Sequence, residues 1–460
     1  MDSFDLIVIG AGPGGYVAAI RASQLGLKVA CIEKDTALGG TCLRVGCIPS
    51  KALLESSQHY ARTKALSKHG VLLDGVRLDL AAMMKRKTQV VSMLTKGVES
   101  LFRKNEITRI SGSAKIAAPG TVEVQTDEGP QVIRGKNVLV ATGSLPSAVP
   151  SLPTDGERVI TSTEALQFDE VPQHLVVIGG GYIGLELGSV WRRLGAAVTV
   201  IEACDRILPN MDQDLSTEAK RLLSKQGLKF KLNTSVTGLS TTPSGCEISL
   251  SNDESMTADK VLIAVGRVPN SKGLGLEALG VNIDDRGTIQ VNETFATNIP
   301  GIFAIGDVIP GPMLAHKAEE EGVAFAEALV TGSGHVSYET IPGVVFTEPE
   351  IATVGKTEQE LIESQQAFHK AGFPYRANGR ARATDQTEGF AKLLVTEDDQ
   401  RILGAHVIGA HAGELINEVA LAMKSGQSAD DLARSCHAHP TFGEVIKEAA
   451  LTACERGIHS

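Results

Sequence analysis

No apolar run in the chain approaches the ~18 residues that a membrane-spanning helix needs, so the sequence reads as a chain without a membrane partner. Basic charge is in short supply as well. The formal net charge is -10 and the pI is near 5.6. Nucleic-acid binding normally calls for a basic face, so that class is set aside. An acidic surface can attract a basic protein, but plain solubility is the commoner reading. The opening residues "MDSFDLIVIG" hold no basic region and no small-residue cleavage site. This predicts a cytoplasmic protein, or a mitochondrial-matrix one if a presequence has been removed. Cysteine is sparse: the seven are Cys31, Cys42, Cys47, Cys204, Cys246, Cys436 and Cys454. An odd, scattered set is not a secreted disulfide framework.

What is present is a long, ordered, glycine-rich chain. Its 460 residues exceed what one core supports and predict two to four domains. The 48 glycines imply many tight turns and close backbone approaches. "DLIVIG" reads as a buried strand. "GAGPGG" follows, with Gly10, Gly12 and Gly15 in GxGxxG spacing, then a helix to about Leu25, then the strand "KVACIEK" with Glu33 near its end. Glycines let a pyrophosphate reach the backbone at the helix N-terminus, and the acid suits a ribose hydroxyl pair. The device recurs. "HLVVIGGGYIG" supplies Gly179, Gly181 and Gly184, and "AVTVIEA" supplies Glu202. The same number of positions separates Gly10 from Glu33 and Gly179 from Glu202. One GxGxxG is weak evidence; two with strand, helix, strand and acid in register are strong.

Each copy has a candidate closing strand, "VLVATGS" (138–144) and "VLIAVGRVPN" (261–270). "GIFAIGD" (301–307) lies beyond the second copy and is predicted to return to the first, so the second dinucleotide domain is inserted into the first. Glu202 favours NAD over NADP, although Arg206 is close by. Two such sites imply electron traffic between a resident flavin and an exchangeable nicotinamide.

"GGTCLRVGCIPSK" (Gly39–Lys51) holds Cys42 and Cys47. In a regular helix such Cα atoms are more than ~8 Å apart, and a disulfide wants them within ~7 Å. A bridge therefore needs a distorted backbone, which Gly46 can supply. Pro49 suits an early helical position. Cys47 is expected just ahead of that helix, where the positive end stabilises a thiolate. Three readings stand. A metal clip lacks further ligands nearby in sequence. A staple closing so small a loop would stabilise little. A redox-active disulfide is favoured, because the pair follows closely on the first dinucleotide unit.

The stretches "GAGPGGYVAAI", "GGTCLRVGCIPSK", "GGGYIGLELGSVW", "GIFAIGDV", "LAHKAEEEG" and "CHAHPTFGE" occur in the order seen in the dihydrolipoamide dehydrogenase branch of the flavin disulfide reductase family. The resemblance spans almost the whole chain. One departure is Arg44, where Asn is commoner. The resemblance implies an α/β fold with two Rossmann-like dinucleotide domains, the second inserted in the first, and a C-terminal α+β dimerisation domain. The segments it implies are 1–146 (FAD domain, first part), 147–271 (NAD domain), 272–340 (return to the FAD domain) and 341–460 (dimerisation).

It implies FAD, tightly bound and one per subunit, at Gly10, Gly12, Gly14, Gly15, Glu33, Lys34, Gly40, Thr41, Lys51, Ala141, Thr142, Gly143, Asp307, Met313, Leu314, Ala315 and His316. It implies NAD+/NADH at Gly179, Gly181, Tyr182, Ile183, Gly184, Glu202 and Gly266, and no metal. Cys42 is the implied interchange sulfur and Cys47 the thiolate beside the flavin. His439 is the implied general base, with Glu444 orienting it, acting on the partner subunit's cysteine pair across a cis His439–Pro440 bond. His437 is given at most a supporting role. Lys51 and Glu186 are implied to meet beside the flavin. The implied reaction oxidises protein-bound dihydrolipoamide and reduces NAD+. The implied partners are a second copy, lipoyl domains and the acyltransferase core of 2-oxoacid dehydrogenase complexes, or the glycine-cleavage lipoyl protein. Rival readings are a sibling NAD(P)H-dependent disulfide reductase and a non-catalytic assembly subunit. The remaining cysteines are expected to be ordinary core or surface thiols.

Overall fold

The structure, a computed structural model, describes residues 3–243 and 245–459. Met1, Asp2 and Ser460, the outermost positions of the expected terminal segments, lie outside it, as does Ser244. The chain forms two compact units: Met1–Leu53, Asp79–Ser147 and Gly266–Val336 make one, and Leu54–Leu78, Ala148–Val265 and Ser337–Ser460 the other.

The first unit is built on a seven-stranded sheet. Strand Ser3–Ile9 pairs in parallel with Val29–Glu33 and with Gly129–Val140. The inner residues Leu6, Ile7, Val8, Val138, Leu139 and Val140 are all buried. Such continuous apolar runs, rather than alternation, mark strands covered on both faces. Strand Ile302–Ala304 pairs in parallel with Gly129–Val140, so the late segment does return to the first sheet. Helices Pro13–Gln24 and Ala315–Thr331 pack closely, and small residues permit it: a Cβ on Gly322 would lie 2.7 Å from the carbonyl oxygen of Gly14.

The second unit holds two sheets of five strands and one of three. The first is parallel, in the order Leu228–Lys231, Ala197–Ile201, His174–Ile178, Lys260–Ile263, Val159–Ile160. A three-stranded antiparallel meander flanks it in sequence. The other five-stranded sheet is antiparallel and runs Gly343–Val345, Glu350–Gly355, Ile402–Gly409, Phe390–Val395, His369–Pro374. Its core includes Tyr375, Leu393, Val407, Ile416 and Val445.

The two expected closing strands are each broken. "VLVATGS" ends its first strand at Val140 and "VLIAVGRVPN" at Ile263; Ser144–Pro146 and Arg267–Pro269 then pair with each other as an antiparallel ribbon in the first unit. The glycines inside both stretches explain the breaks, since Gly143 and Gly266 take φ of 70° and 125°.

Candidate active site: two glycine cradles, a dithiol turn and a histidine–glutamate pair

The two glycine motifs fold alike. Gly10 and Gly179 have φ of 100° and 107°. A Cβ at either would lie 2.4 Å from a carbonyl oxygen, that of Ala141 or of Ala264. Gly12 and Gly181 are the N-caps of helices Pro13–Gln24 and Tyr182–Leu194, and neither helix start has a side-chain cap. First-turn N–H groups are therefore available to an anion. A Cβ on Gly181 would meet nothing within 4 Å, so the cradle is open there. The acids are placed alike as well. Glu33 Oε2 accepts from the Ala11 N–H at 2.9 Å and Glu202 Oε2 from the Gly180 N–H at 2.6 Å. Their second oxygens accept from the N–H groups of Asp35 and Cys204. These are two sites that fit dinucleotides: an open glycine turn, an uncapped helix start and a carboxylate at the strand end. Gly14 and Gly15 open the first helix; Tyr182, Ile183 and Gly184 open the second. Lys34 and Thr41 are exposed.

The cysteine pair is anchored to the first cradle. The Gly39 N–H donates to the Ala11 carbonyl at 2.8 Å, and a Cβ on Gly40 would lie 2.6 Å from the Gly12 Cα. Helix Gly40–Val45 carries Cys42, and helix Cys47–Arg62 begins with Cys47 itself. Cys47 is thus the first helical residue and not one ahead of it, because the Ser50 N–H closes the first turn on the carbonyl of Gly46 (3.1 Å). Gly46 breaks the helix as expected, at φ -140° and ψ -112°. Crowding explains its identity: a Cβ there would lie 2.9 Å from the Thr41 carbonyl oxygen.

Both cysteines are thiols here. The Cys42 thiol is pushed well up, first by its hydrogen bond to Cys47, then by burial and by the charges of Cys47 and Glu319, while Lys51 pulls the other way. The hydrogen bond to Cys47 thus favours the protonated form of Cys42. Glu319 lies on helix Ala315–Thr331 and accepts from the Tyr16 hydroxyl at 3.2 Å; neither residue was singled out in the sequence. Arg44, the departure from the usual pattern, pairs with Asp35 and donates to the Gly40 carbonyl. Among the described residues no three His, Cys, Asp or Glu side chains converge as a metal site.

Asp307 lies in the turn Gly306–Val308. Its carboxylate accepts from Ser144 Oγ at 2.5 Å, and Ser144 accepts in turn from Arg267 Nε at 2.7 Å. The sequence gives no hint of either contact, because 163 positions separate Ser144 from Asp307. Thr142 donates to the Asn270 carbonyl at 2.7 Å and so ties the turn after Ala141 to the ribbon. Met313 and Leu314 lead into helix Ala315–Thr331, which Ala315 and His316 open.

In the second unit, His439 Nδ1 lies 2.9 Å from Glu444 Oε1, with the ring three-quarters exposed at 75%. Glu444 opens helix Glu444–Ala453 and its other oxygen accepts from the Thr441 N–H at 2.9 Å. Burial works against its ionisation, but that N–H and His439 outweigh it and hold the carboxyl below the usual range. Nδ1 on a carboxylate leaves Nε2 as the nitrogen that takes a proton. The His439–Pro440 bond is cis. His437 makes its own pair, Nε2 to Glu418 at 2.8 Å, so it is not the partner of Glu444. Glu186 is buried and accepts from the Phe346 N–H at 3.0 Å.

The profile of the pyridine nucleotide-disulphide oxidoreductase family matches residues 4–322, and that of the family's dimerisation domain matches residues 341–450. The chain belongs to the pyridine nucleotide-disulphide oxidoreductase family. It is 49% identical to a mitochondrial dihydrolipoyl dehydrogenase of Pisum sativum, over 100% of this chain and 93% of that protein. The mitochondrial dihydrolipoyl dehydrogenase of Homo sapiens is 47% identical over 98% and 90%. A leghemoglobin reductase of Glycine max is 49% identical over 99% and 88%. Among solved structures, LpdA from Mycobacterium tuberculosis superposes with a TM-score of 0.90 at 28% identity, over 97% of this chain and 98% of that one. The flavoprotein disulfide reductase RclA from Escherichia coli gives 0.86 at 28%, over 97% and 99%. The family and the dimerisation domain agree with the resemblance drawn from the motifs, and the fold agrees with the expected pair of dinucleotide domains plus α+β region. Among the described residues no helix is long and apolar enough to cross a membrane.

Proposed function

We propose that this chain is an NAD-dependent dihydrolipoyl dehydrogenase. It oxidises protein-bound dihydrolipoamide through Cys42 and Cys47, and electrons pass to NAD+. One observation carries the reading. The dithiol turn is fastened to the first glycine cradle through Gly39–Ala11 and Gly40–Gly12, which is where a redox pair must be to exchange electrons with a cofactor bound there. The match to dihydrolipoyl dehydrogenases over the whole chain supports the substrate.

The reading assigns FAD to the Gly10 cradle, with Glu33 on its ribose and Asp307 on its ribityl chain, and NAD+/NADH to the Gly179 cradle, with Glu202 on its ribose. FAD, when bound, supplies the two-electron carrier between the dithiol and NAD+. The residues of the chain do the rest. His439 Nε2 takes a proton from one lipoyl thiol, and Glu444 stabilises the imidazolium that forms. The lipoyl thiolate attacks Cys42 of the oxidised pair, the Cys42–Cys47 bond breaks, and Cys47 leaves as a thiolate. The second lipoyl thiol gives its proton to His439, which has passed the first to solvent, and the thiolate so formed displaces Cys42. Lipoamide leaves as a disulfide and the protein pair holds the two electrons. Cys42 leaves as a thiolate and takes up the proton that His439 then holds, and the Cys47 thiolate is stabilised at the start of its helix. Lys51 and Glu186 keep the charged roles near the flavin that the resemblance implies.

The reading also keeps the segments 1–146, 147–271, 272–340 and 341–460. The protein acts as a homodimer in which His439 and Glu444 of one protomer serve the cysteine pair of the other. Its partners are the lipoyl domains and acyltransferase core of 2-oxoacid dehydrogenase complexes or the glycine-cleavage lipoyl protein, in the cytoplasm or the mitochondrial matrix. The test is an anaerobic titration with dihydrolipoamide followed by visible absorbance, then NAD+. A long-wavelength charge-transfer band that NAD+ discharges is expected. A flavin that dihydrolipoamide leaves unchanged while NADH reduces it would overturn the substrate and point to another disulfide. Cys47→Ser should abolish turnover.

A further inference from the structure

Helix Ala315–Thr331 carries an ion pair that none of the steps above uses. Lys317 Nζ lies 3.0 Å from Glu321 Oε1, one turn apart, and both side chains are fully buried, with 0% exposure each. Such a pair is poor evidence of stabilisation. Removing two charges from water is expensive, and well-packed apolar residues often serve as well. What distinguishes this one is where its remaining bonds go. Glu321 Oε2 accepts from the Gly306 N–H at 2.8 Å, and Lys317 Nζ donates to the Gly306 carbonyl at 3.0 Å. Both polar groups of a single residue are thus held by opposite charges. Charge-assisted bonds of this kind are roughly twice as strong as neutral ones.

Gly306 has φ of 77° and opens the turn Gly306–Val308. Asp307 comes next, so its backbone direction is set by how Gly306 is held. Its carboxylate also accepts from Ser144, which Arg267 holds through both its side-chain oxygen and its carbonyl (2.7 Å each). We propose that Lys317 and Glu321 are positioning residues for Asp307: together they clamp the Gly306 backbone and so aim the acid at the flavin. This rests on the assignment of Asp307 to the flavin made above.

The test uses holoenzyme and a double-mutant cycle. Lys317→Met with Glu321→Met removes both charges while keeping apolar bulk. FAD affinity is read from the flavin fluorescence released on dilution, and the visible flavin spectrum is recorded alongside, with no substrate present. The methionine pair is expected to weaken FAD binding about tenfold or more, the scale of coupling within one hydrogen-bond network. Added to Asp307→Asn, it should cost little beyond what that variant already loses. Wild-type affinity and spectrum in the folded methionine pair would overturn the proposal, as would losses that multiply with those of Asp307→Asn. If the methionine pair does not fold, Glu321→Asp serves instead. It keeps the charge but withdraws the carboxylate from the Gly306 N–H, and is expected to lower affinity several-fold without multiplying the Asp307→Asn loss; wild-type affinity or a multiplied loss would overturn the proposal. A wild type that carries FAD but ignores dihydrolipoamide overturns the proposed substrate and leaves this test intact.

Discussion

At the scale of single residues, the chemistry divides by which proton each group holds. The hydrogen bond to Cys47, partial burial and the nearby charge of Glu319 all favour the protonated form of Cys42. His439 is exposed and its Nδ1 lies on Glu444, and the proposed function makes it the base that meets the substrate. His439→Gln should lower turnover with dihydrolipoamide by about 10²–10⁴-fold, measured at saturating NAD+, while NADH still reduces the flavin. The neighbouring His437 behaves differently. Glu418 raises it by accepting a hydrogen bond from its ring, burial opposes, and the Ser435 carbonyl helps. A proton bound more tightly in the folded chain stabilises it fully below the unfolded value of about 6.5, and that contribution is lost as pH rises through the higher folded value. The stability advantage of the wild type over Glu418→Gln should therefore be largest near about pH 6 and shrink at alkaline pH. Urea midpoints at several pH values check this; an advantage that grows with pH would contradict it.

At the scale of elements, the two glycine turns show why one sequence device makes two sites. The first glycine of each is demanded by its φ and by a carbonyl oxygen that leaves no room for a Cβ. The second is not. Gly181 has φ -78° and ψ 177°, which any residue adopts, and its Cβ direction is open. Only a ligand approaching the helix start needs a glycine there. Gly181→Ala should leave the melting temperature and FAD content unchanged and raise the KM for NAD+ several-fold. A melting temperature lowered by several degrees would show that the glycine serves the fold. The GxGxxG spacing made this legible, since a strand, a turn and a helix start are local and short. The broken closing strands were not legible. Gly143 and Gly266 interrupt both stretches, but nothing local tells that Arg267–Pro269 and Ser144–Pro146 pair with each other.

At the scale of the whole molecule, the chain crosses between its two units repeatedly, and the residues assigned to the proposed reaction are divided between them: the cysteines in one, His439 and Glu444 in the other. If each site takes its cysteines from one protomer and its base from the partner, two inactive chains should complement. Purified hybrid dimers of Cys47→Ser with His439→Gln, tagged differently, should recover a substantial fraction of activity through the one site with both groups intact. Hybrids as inactive as the parents would place base and dithiol in the same chain.

The sequence alone determined the family, the paired dinucleotide motifs, the dithiol, the histidine–glutamate pair and the return of Ile302–Ala304 to the first sheet. These are short patterns whose spacing reflects backbone geometry, so they survive in one dimension. Only the tertiary structure decided who satisfies whom: Ser144 and Arg267 on Asp307, Lys317 and Glu321 on Gly306, Glu418 rather than Glu444 on His437, and Glu319 beside Cys42. Buried polar groups must find partners. Which partner each finds depends on what folding brings near, and for residues far apart in sequence no spacing rule encodes that.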